Sequence, residues 1–290
     1  MTHQRVWQHI IVFSLLSLAV GGRTSAQQDP ISAAPIQTPT QPPGTNVPAA
    51  PAPERLLTNF LEVGGSYQDL SNDFGRWSGG YAHAVLERGK NIWSGEVNGE
   101  HEFGGAGVYF AAGDTYNFNS DWYASLTVGS SVGGFFWPRF RTDGFINRKW
   151  NERKQFITTL GVGYYAAKDV HRDHSIFLGT IYYFQKPWIL EDGFRLNVSN
   201  PGTVLSPSGF VSVTEGHNKR RYITVRAGFG QEAYQLIGPT VALTRFPSQT
   251  FDLTLRQWVG KGWGFNFVAS YYHSPFYVRG GGSIGIFKDF

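Results

Sequence analysis

The sequence predicts an all-β protein: a transmembrane, antiparallel up-and-down β-barrel of about 14 strands, with 12 or 16 as the neighbouring counts. Three observations predict it. First, Phe, Tyr and Trp make up 16% of the 290 residues and Gly contributes 36, while only 16% are charged, a mixture of strand formers and turn formers. Second, from residue 58 onward apolar and polar side chains alternate over segments mostly longer than nine residues. Soluble strands average about five or six residues, whereas a strand tilted across a bilayer needs about 9 to 11. Third, the chain carries an export signal and no cysteine, so its exported fold is held without disulfides. Closing a sheet on itself pairs every backbone amide without water, which reconciles membrane spanning with a mean hydropathy of −0.25.

Residues 1–26 read as a secretory signal peptide. Arg5 precedes the apolar run Ile10 to Val20, and the small residues Thr24-Ser25-Ala26 follow it. That run is well short of the roughly 20 residues a membrane-crossing helix requires. Its removal takes away Arg5 and Arg23 and no acid, so 25 bases against 21 acids become 23 against 21. Such a surplus is too small to argue for a nucleic-acid partner, where a clustered basic face is expected.

Residues 27–57 are expected to be a flexible, Pro/Ala-rich periplasmic linker. The stretch 27–53 holds 8 of the 15 prolines and almost no charge, so it neither pairs as a strand nor buries a core. In a polyproline conformation of about 3.1 Å per residue it reaches on the order of 80 Å.

The barrel is expected over 58–290. Its strands are read at 58–68, 76–86, 92–103, 106–117, 121–132, 137–148, 155–166, 174–185, 192–200, 207–216, 220–230, 248–259, 262–273 and 276–290, with weak patterning at 192–216 and 238–247. Thr250 to Val259 shows the period clearly, with Phe251, Leu253 and Leu255 opposite Asp252, Thr254 and Arg256. Glu87–Asn91, Asn119-Ser120-Asp121 and Gly260-Lys261-Gly262 read as tight hairpin turns. A soluble sandwich is the competing architecture, and the strand lengths and aromatic load count against it.

The terminal GGGSIGIFKDF spells both a G-x-G-x-x-G fingerprint (Gly280, Gly282, Gly285) and a G-x-S-x-G elbow (Gly281, Ser283, Gly285). Both motifs need a helix after the glycine turn, and only five residues follow Gly285. The segment therefore reads as a closing strand, with Ile284, Ile286, Lys288 and Phe290 on its lipid face and glycines where it bends to meet the first strand.

Several stretches together resemble the YaiO family of outer-membrane barrels over residues 60–290. They are VGGSYQDLSNDFGRWSGGYAHAVL, FFWPRFRTDGFINRKW, TLGVGYYAAKDVHRDHSIFLGTIYYFQKPW and the terminal GGSIGIFKDF. The resemblance implies a bacterial outer-membrane location and brings no reaction, cofactor or catalytic motif with it. The final Phe290 resembles the C-terminal signature read by the barrel-assembly machinery, from which Lys288 departs.

With apolar faces toward lipid, Glu62, Glu96, Glu100, Asp143 and Asp252 gather in the interior with Arg139, Arg141, Arg195, Arg226 and Arg256, since a charge on the lipid side costs about 2 to 4 kcal/mol at the midplane. This balanced set is expected to prop or plug the barrel. The candidate solute contacts are Trp137, Arg139, Arg141, Arg226, Arg256, Asp252 and Glu96. Trp137, Arg139 and Arg141 form the best sugar or anion contact, with a stacking ring and forked donors expected on one face. Pro138 hints at a strand end there. His171, Asp173 and His174 fall in an expected loop, without a recognised zinc spacing. His83, His101 and His273 stand near serines or acids without a placeable triad. Trp77, Trp93, Trp122, Trp137, Trp150, Trp188, Trp258 and Trp263 are expected as interfacial girdles.

The functional expectation is a non-enzymatic pore or accessory surface component for envelope or exopolysaccharide traffic. Its expected partners are outer-membrane lipids, the assembly machinery, and polysaccharide or small solutes, without metal or cofactor. A lipid-modifying hydrolase with a serine and histidine at the rim is the alternative.

Overall fold

The computed structural model describes residues 59–184, 187–217 and 219–290, so the expected signal peptide and linker lie outside the described residues. The described residues form fourteen strands: β1 Phe60–Leu70, β2 Gly75–Arg88, β3 Asn91–Glu102, β4 Gly105–Asn117, β5 Trp122–Gly133, β6 Phe140–Trp150, β7 Phe156–Ala166, β8 Arg172–Tyr183, β9 Trp188–Asn200, β10 Val204–His217, β11 Arg221–Leu236, β12 Ala242–Gly260, β13 Trp263–His273 and β14 Val278–Asp289. Each pairs antiparallel with the next, and β14 returns to β1 to close a barrel. The fourteen-strand up-and-down topology matches the expectation from periodicity. An even strand number puts the start of β1 and the end of β14 at one end of the barrel.

Strand length follows from the span. The shortest strands hold 11 residues; at about 3.3 Å per residue and a tilt near 45° that covers about 25 Å, the height of an outer-membrane apolar band. Alternation then sorts side chains. On β1, Leu61, Val63 and Tyr67 point out while Phe60, Glu62, Gln68 and Leu70 are buried inside. On β12, Phe251 and Leu253 point out, and Thr254, Arg256 and Trp258 point in. The turns match their chemistry: Gly89 and Gly262 adopt positive φ, and Asn119 Oδ1 accepts from the backbone N–H groups of Asp121 and Trp122.

The terminal glycine run is a strand through Asp289, with no helix behind it, so neither enzyme motif has its required context. Its glycines serve the seam. Gly285 sits directly opposite Gly64. A Cβ on Gly285 would lie 2.4 Å from Tyr81 Oη, and one on Gly64 would lie 2.5 Å from both Ile284 O and Tyr81 Cζ. The bare backbone of both closing strands lets the Tyr81 ring lie across the joint. Replacing Gly285 with alanine is expected to overpack this joint by about 1 to 3 kcal/mol. That loss will appear as a lower temperature for the mobility shift between folded and unfolded protein on gels.

Three expectations are corrected. The strand placed at 137–148 begins at Phe140, because Pro138 has no amide to donate and residues 134–139 leave the wall. Strands β11 and β12 run beyond the expected ends, to Leu236 and from Ala242. In β11, residues 232–236 are all buried, so both faces are covered and the period-two signal vanishes. The tryptophan girdle is only partly outside: Trp93, Trp122, Trp150, Trp188 and Trp263 point out, whereas Trp77, Trp137 and Trp258 are buried. Position near a strand end sets the depth of a ring; parity along the strand sets its face.

Candidate functional site: the barrel interior

The interior is layered. Nearest the termini, an apolar layer is built from Phe60, Val85 and Ile92 on β1–β3 and from Tyr222, Trp258 and Phe287 on β11, β12 and β14. These residues occupy inward positions close to the strand ends.

Charged groups fill the next level in three sets. Glu62 accepts hydrogen bonds from Arg256 Nη1 at 2.7 Å, Tyr81 Oη at 3.0 Å and Asn266 Nδ2 at 3.0 Å. The Arg256 guanidinium also lies 3.6 Å over the Phe287 ring. The two charged side chains are only 3% and 1% exposed, so this set is dry. Around the wall, Arg141 Nε donates to Asp143 Oδ2 at 2.6 Å, Arg195 approaches Asp143 Oδ1 at 3.7 Å, and Arg195 Nη1 donates to Ser175 Oγ at 2.6 Å. Arg226 stands opposite Asp252 in the β11–β12 register and lies 3.7 Å over the Phe210 ring. Between the last two sets, Phe145, Phe177 and Phe210 pack on the bare wall, where Cβ atoms at Gly161, Gly179 and Gly193 would meet ring atoms at 2.4 to 2.7 Å.

Aromatic rings crowd the far end. Leu70, Trp77, Tyr272 and Tyr277 form one cluster, packed by Phe74, Phe103, Leu243 and Phe276. The Arg279 guanidinium lies 4.3 Å over Trp77 and 4.9 Å over Tyr272. A second cluster joins Tyr109 to Phe136 and Trp137, with the Trp137 ring stacked on Tyr109 at 4.9 Å and 12°. A third joins Ala233, Tyr234 and Leu236 on the β11 extension. Phe135 packs against both the second and the third clusters. Strands β4 and β11 lie across the ring from each other, so segment 134–139 crosses the mouth and meets the β11–β12 hairpin on the other side. Gly133 and Gly134, both at positive φ, turn the chain inward. Lys168 of the β7–β8 loop holds it there: its Nζ donates to Gly133 O, while its backbone O accepts from Arg139 Nη2 at 2.9 Å.

Of the candidate contacts, Arg141, Arg226, Arg256, Asp252 and Glu96 occupy inward positions. Of the ten charges expected inside, only Arg139 is out of place, exposed on the loop before β6. The Trp137–Arg139–Arg141 face is therefore corrected: its members do not share a strand, and the ring of Trp137 is taken by Tyr109. His171 is in a loop, but Asp173 and His174 are consecutive residues of β8 and point to opposite sides, which prevents joint chelation. His171 instead bonds Asp169 Oδ2 through Nδ1 at 2.7 Å and stacks on Tyr234. Among the described residues no serine bonds this pair. Sequence reasoning missed Tyr81, Asn266, Arg279 and the Phe145/Phe177/Phe210 group. Strand parity would have found each, since Arg279 lies on the face opposite Ile284 and Ile286.

The comparisons agree on architecture. At 6% identity the fold resembles the CymD monoaromatic hydrocarbon channel (TM-score 0.57), covering 80% of this chain and 88% of that one. It resembles the P. putida toluene transporter TodX at 10% identity (TM-score 0.51, 80% and 90% covered). It also resembles the Acinetobacter baumannii outer membrane protein Omp33 at 10% identity (TM-score 0.50, 81% and 99% covered). No curated protein matches the sequence. The family model described as the YaiO membrane beta barrel domain matches residues 58–235, which takes in β1 through most of β11. That match spans more than half of a chain whose described residues close into a fourteen-stave wall, apolar outside and charged inside, and the chain belongs to the YaiO family of bacterial outer-membrane β-barrels.

Proposed function

We propose that this protein is a non-enzymatic passage that rests closed, serving envelope or exopolysaccharide traffic. The observation that carries the reading is segment 134–139, folded across the extracellular mouth with Phe135 touching clusters on opposite walls. Beneath it, forked guanidiniums at Arg141, Arg195 and Arg226 alternate with the rings of Phe177 and Phe210. Stacking faces and bidentate donors in alternation suit a hydroxyl-rich or acidic solute such as a polysaccharide. Likeness of fold to proteins named as channels and transporters supports passage over catalysis. The final Phe290, outward and exposed beside the seam, suits docking of the assembly machinery.

Planar-bilayer recording tests the resting state. The native chain is expected to give no steady conductance steps, and a variant with 135–137 replaced by Gly-Ser-Gly is expected to conduct. Steady conductance by the native chain, or silence of the folded variant, would overturn the proposal.

A further inference from the structure

Among the described residues, the five outward tryptophans sit at the periplasmic end: Trp93 near the start of β3, Trp122, Trp188 and Trp263 at the first residues of β5, β9 and β13, and Trp150 at the last residue of β6. Such rings mark the headgroup level of the bilayer. At that level the wall carries a cation. Arg148 is an outward position of β6, paired directly with Trp122 on β5 and Thr158 on β7. Its guanidinium lies 3.6 Å over the Trp150 ring, two residues nearer the periplasmic end, and 5.2 Å from the Trp122 ring. Trp150 is itself anchored, donating from Nε1 to Thr158 Oγ1 at 2.8 Å.

Two rings thus hold the guanidinium flat and aim its stem toward the headgroups, as a snorkelling arginine requires. Among the described residues no acceptor hydrogen-bonds Arg148. The nearby carboxylate, Asp121, is engaged by Lys154 at 2.5 Å and Ser120 at 2.6 Å, and the Lys154 bond holds its carboxyl below the ordinary range. On the same turn Arg153 and Glu152 offset each other, so Arg148, Arg153 and Lys154 against Asp121 and Glu152 leave one positive charge in excess. An oriented fork with unused donors, facing the membrane, is a receptor for an oxyanion, and at this depth the oxyanion on offer is a phosphodiester.

We propose that Arg148, clamped between Trp122 and Trp150, binds the phosphodiester of an anionic phospholipid of the periplasmic leaflet. Trp122 and Trp150 flank the glycerol region, and the local excess of positive charge selects a net-negative headgroup over a zwitterionic one.

The full chain in detergent, titrated with phosphatidylglycerol or phosphatidylcholine and followed by native mass spectrometry, tests this. The native protein is expected to retain phosphatidylglycerol preferentially. Arg148→Gln is expected to weaken that retention about tenfold, the equivalent of one lost charge-assisted contact. Arg148→Lys, which keeps the charge and loses the fork, should fall between, while Arg153→Gln should stay within about twofold of native, as expected for a screened surface charge. Unheated gel mobility verifies that each variant is folded. Equal retention of the two lipids by the native chain, or unchanged preference in folded Arg148→Gln and Arg148→Lys, would overturn the site. Displacement of the lipid by millimolar inorganic phosphate would overturn the lipid assignment in favour of a free-anion site.

Discussion

Arginine at Phe251 or at Leu253 is expected to destabilise the folded barrel by about 2 to 4 kcal/mol each. Both side chains point outward from β12, where the Phe251 and Leu253 rows meet hydrocarbon. A guanidinium there has no water and no counter-charge on the wall, because the outward neighbours across the register are Val225 and Ala227 on one side and Ala269 and Tyr271 on the other. Asp252, between them, points inward opposite Arg226. Replacing it with asparagine retains the shape and the polar contact with Ser270 and leaves Arg226 under the influence of Glu191, so the loss should be under about 1 kcal/mol, within the net worth of one hydrogen bond. Urea unfolding in lipid vesicles measures all three. Equal losses at positions 251, 252 and 253 would contradict the assignment of faces on which the whole barrel rests.

Arg256→Met is the second large effect, about 3 to 5 kcal/mol. The substitution leaves the Glu62 carboxylate buried with only the neutral donors Tyr81 and Asn266. Breaking one half of a dry pair exposes the full desolvation cost of the other. Removing both charges, as Glu62→Leu with Arg256→Met, should recover most of the loss, since apolar groups of similar size suit a site already lined by Phe60, Trp258 and Phe287. The same unfolding experiment, run as a double-mutant cycle, separates the two cases. A double variant as unstable as Arg256→Met alone would mean that the pair is not the unit of stability.

Much of this fold was legible because period two is a local property. Each of the fourteen expected segments overlaps an observed strand, and the faces of Phe251 to Arg256 and of Ile284 to Phe290 follow from alternation alone. The misreadings have two causes: burial that a strand's own alternation does not set, and alternation passed over where a ring lies near a strand end. Residues 232–236 lose their alternation because the mouth covers their second face. Trp137 reads as a strand residue until Pro138 and the two glycines before Phe135 turn it into the lumen, where Tyr109 claims its ring. Trp77 and Trp258 lie at the depth expected of a girdle but on inward parity.

By itself the sequence determined the class of wall, a count of about 14 staves with 12 and 16 still open, the sign of each face and the inward placing of all but one of the expected charges. Which inward groups meet was decided only by closure. Glu62 and Arg256 are 194 residues apart, on β1 and β12, and they touch because the ring seals at β14 and the tilt of the staves slides one level past the next. Alternation is written between neighbours in the chain. Contact across a lumen depends on the stagger of the whole ring, which no single strand encodes.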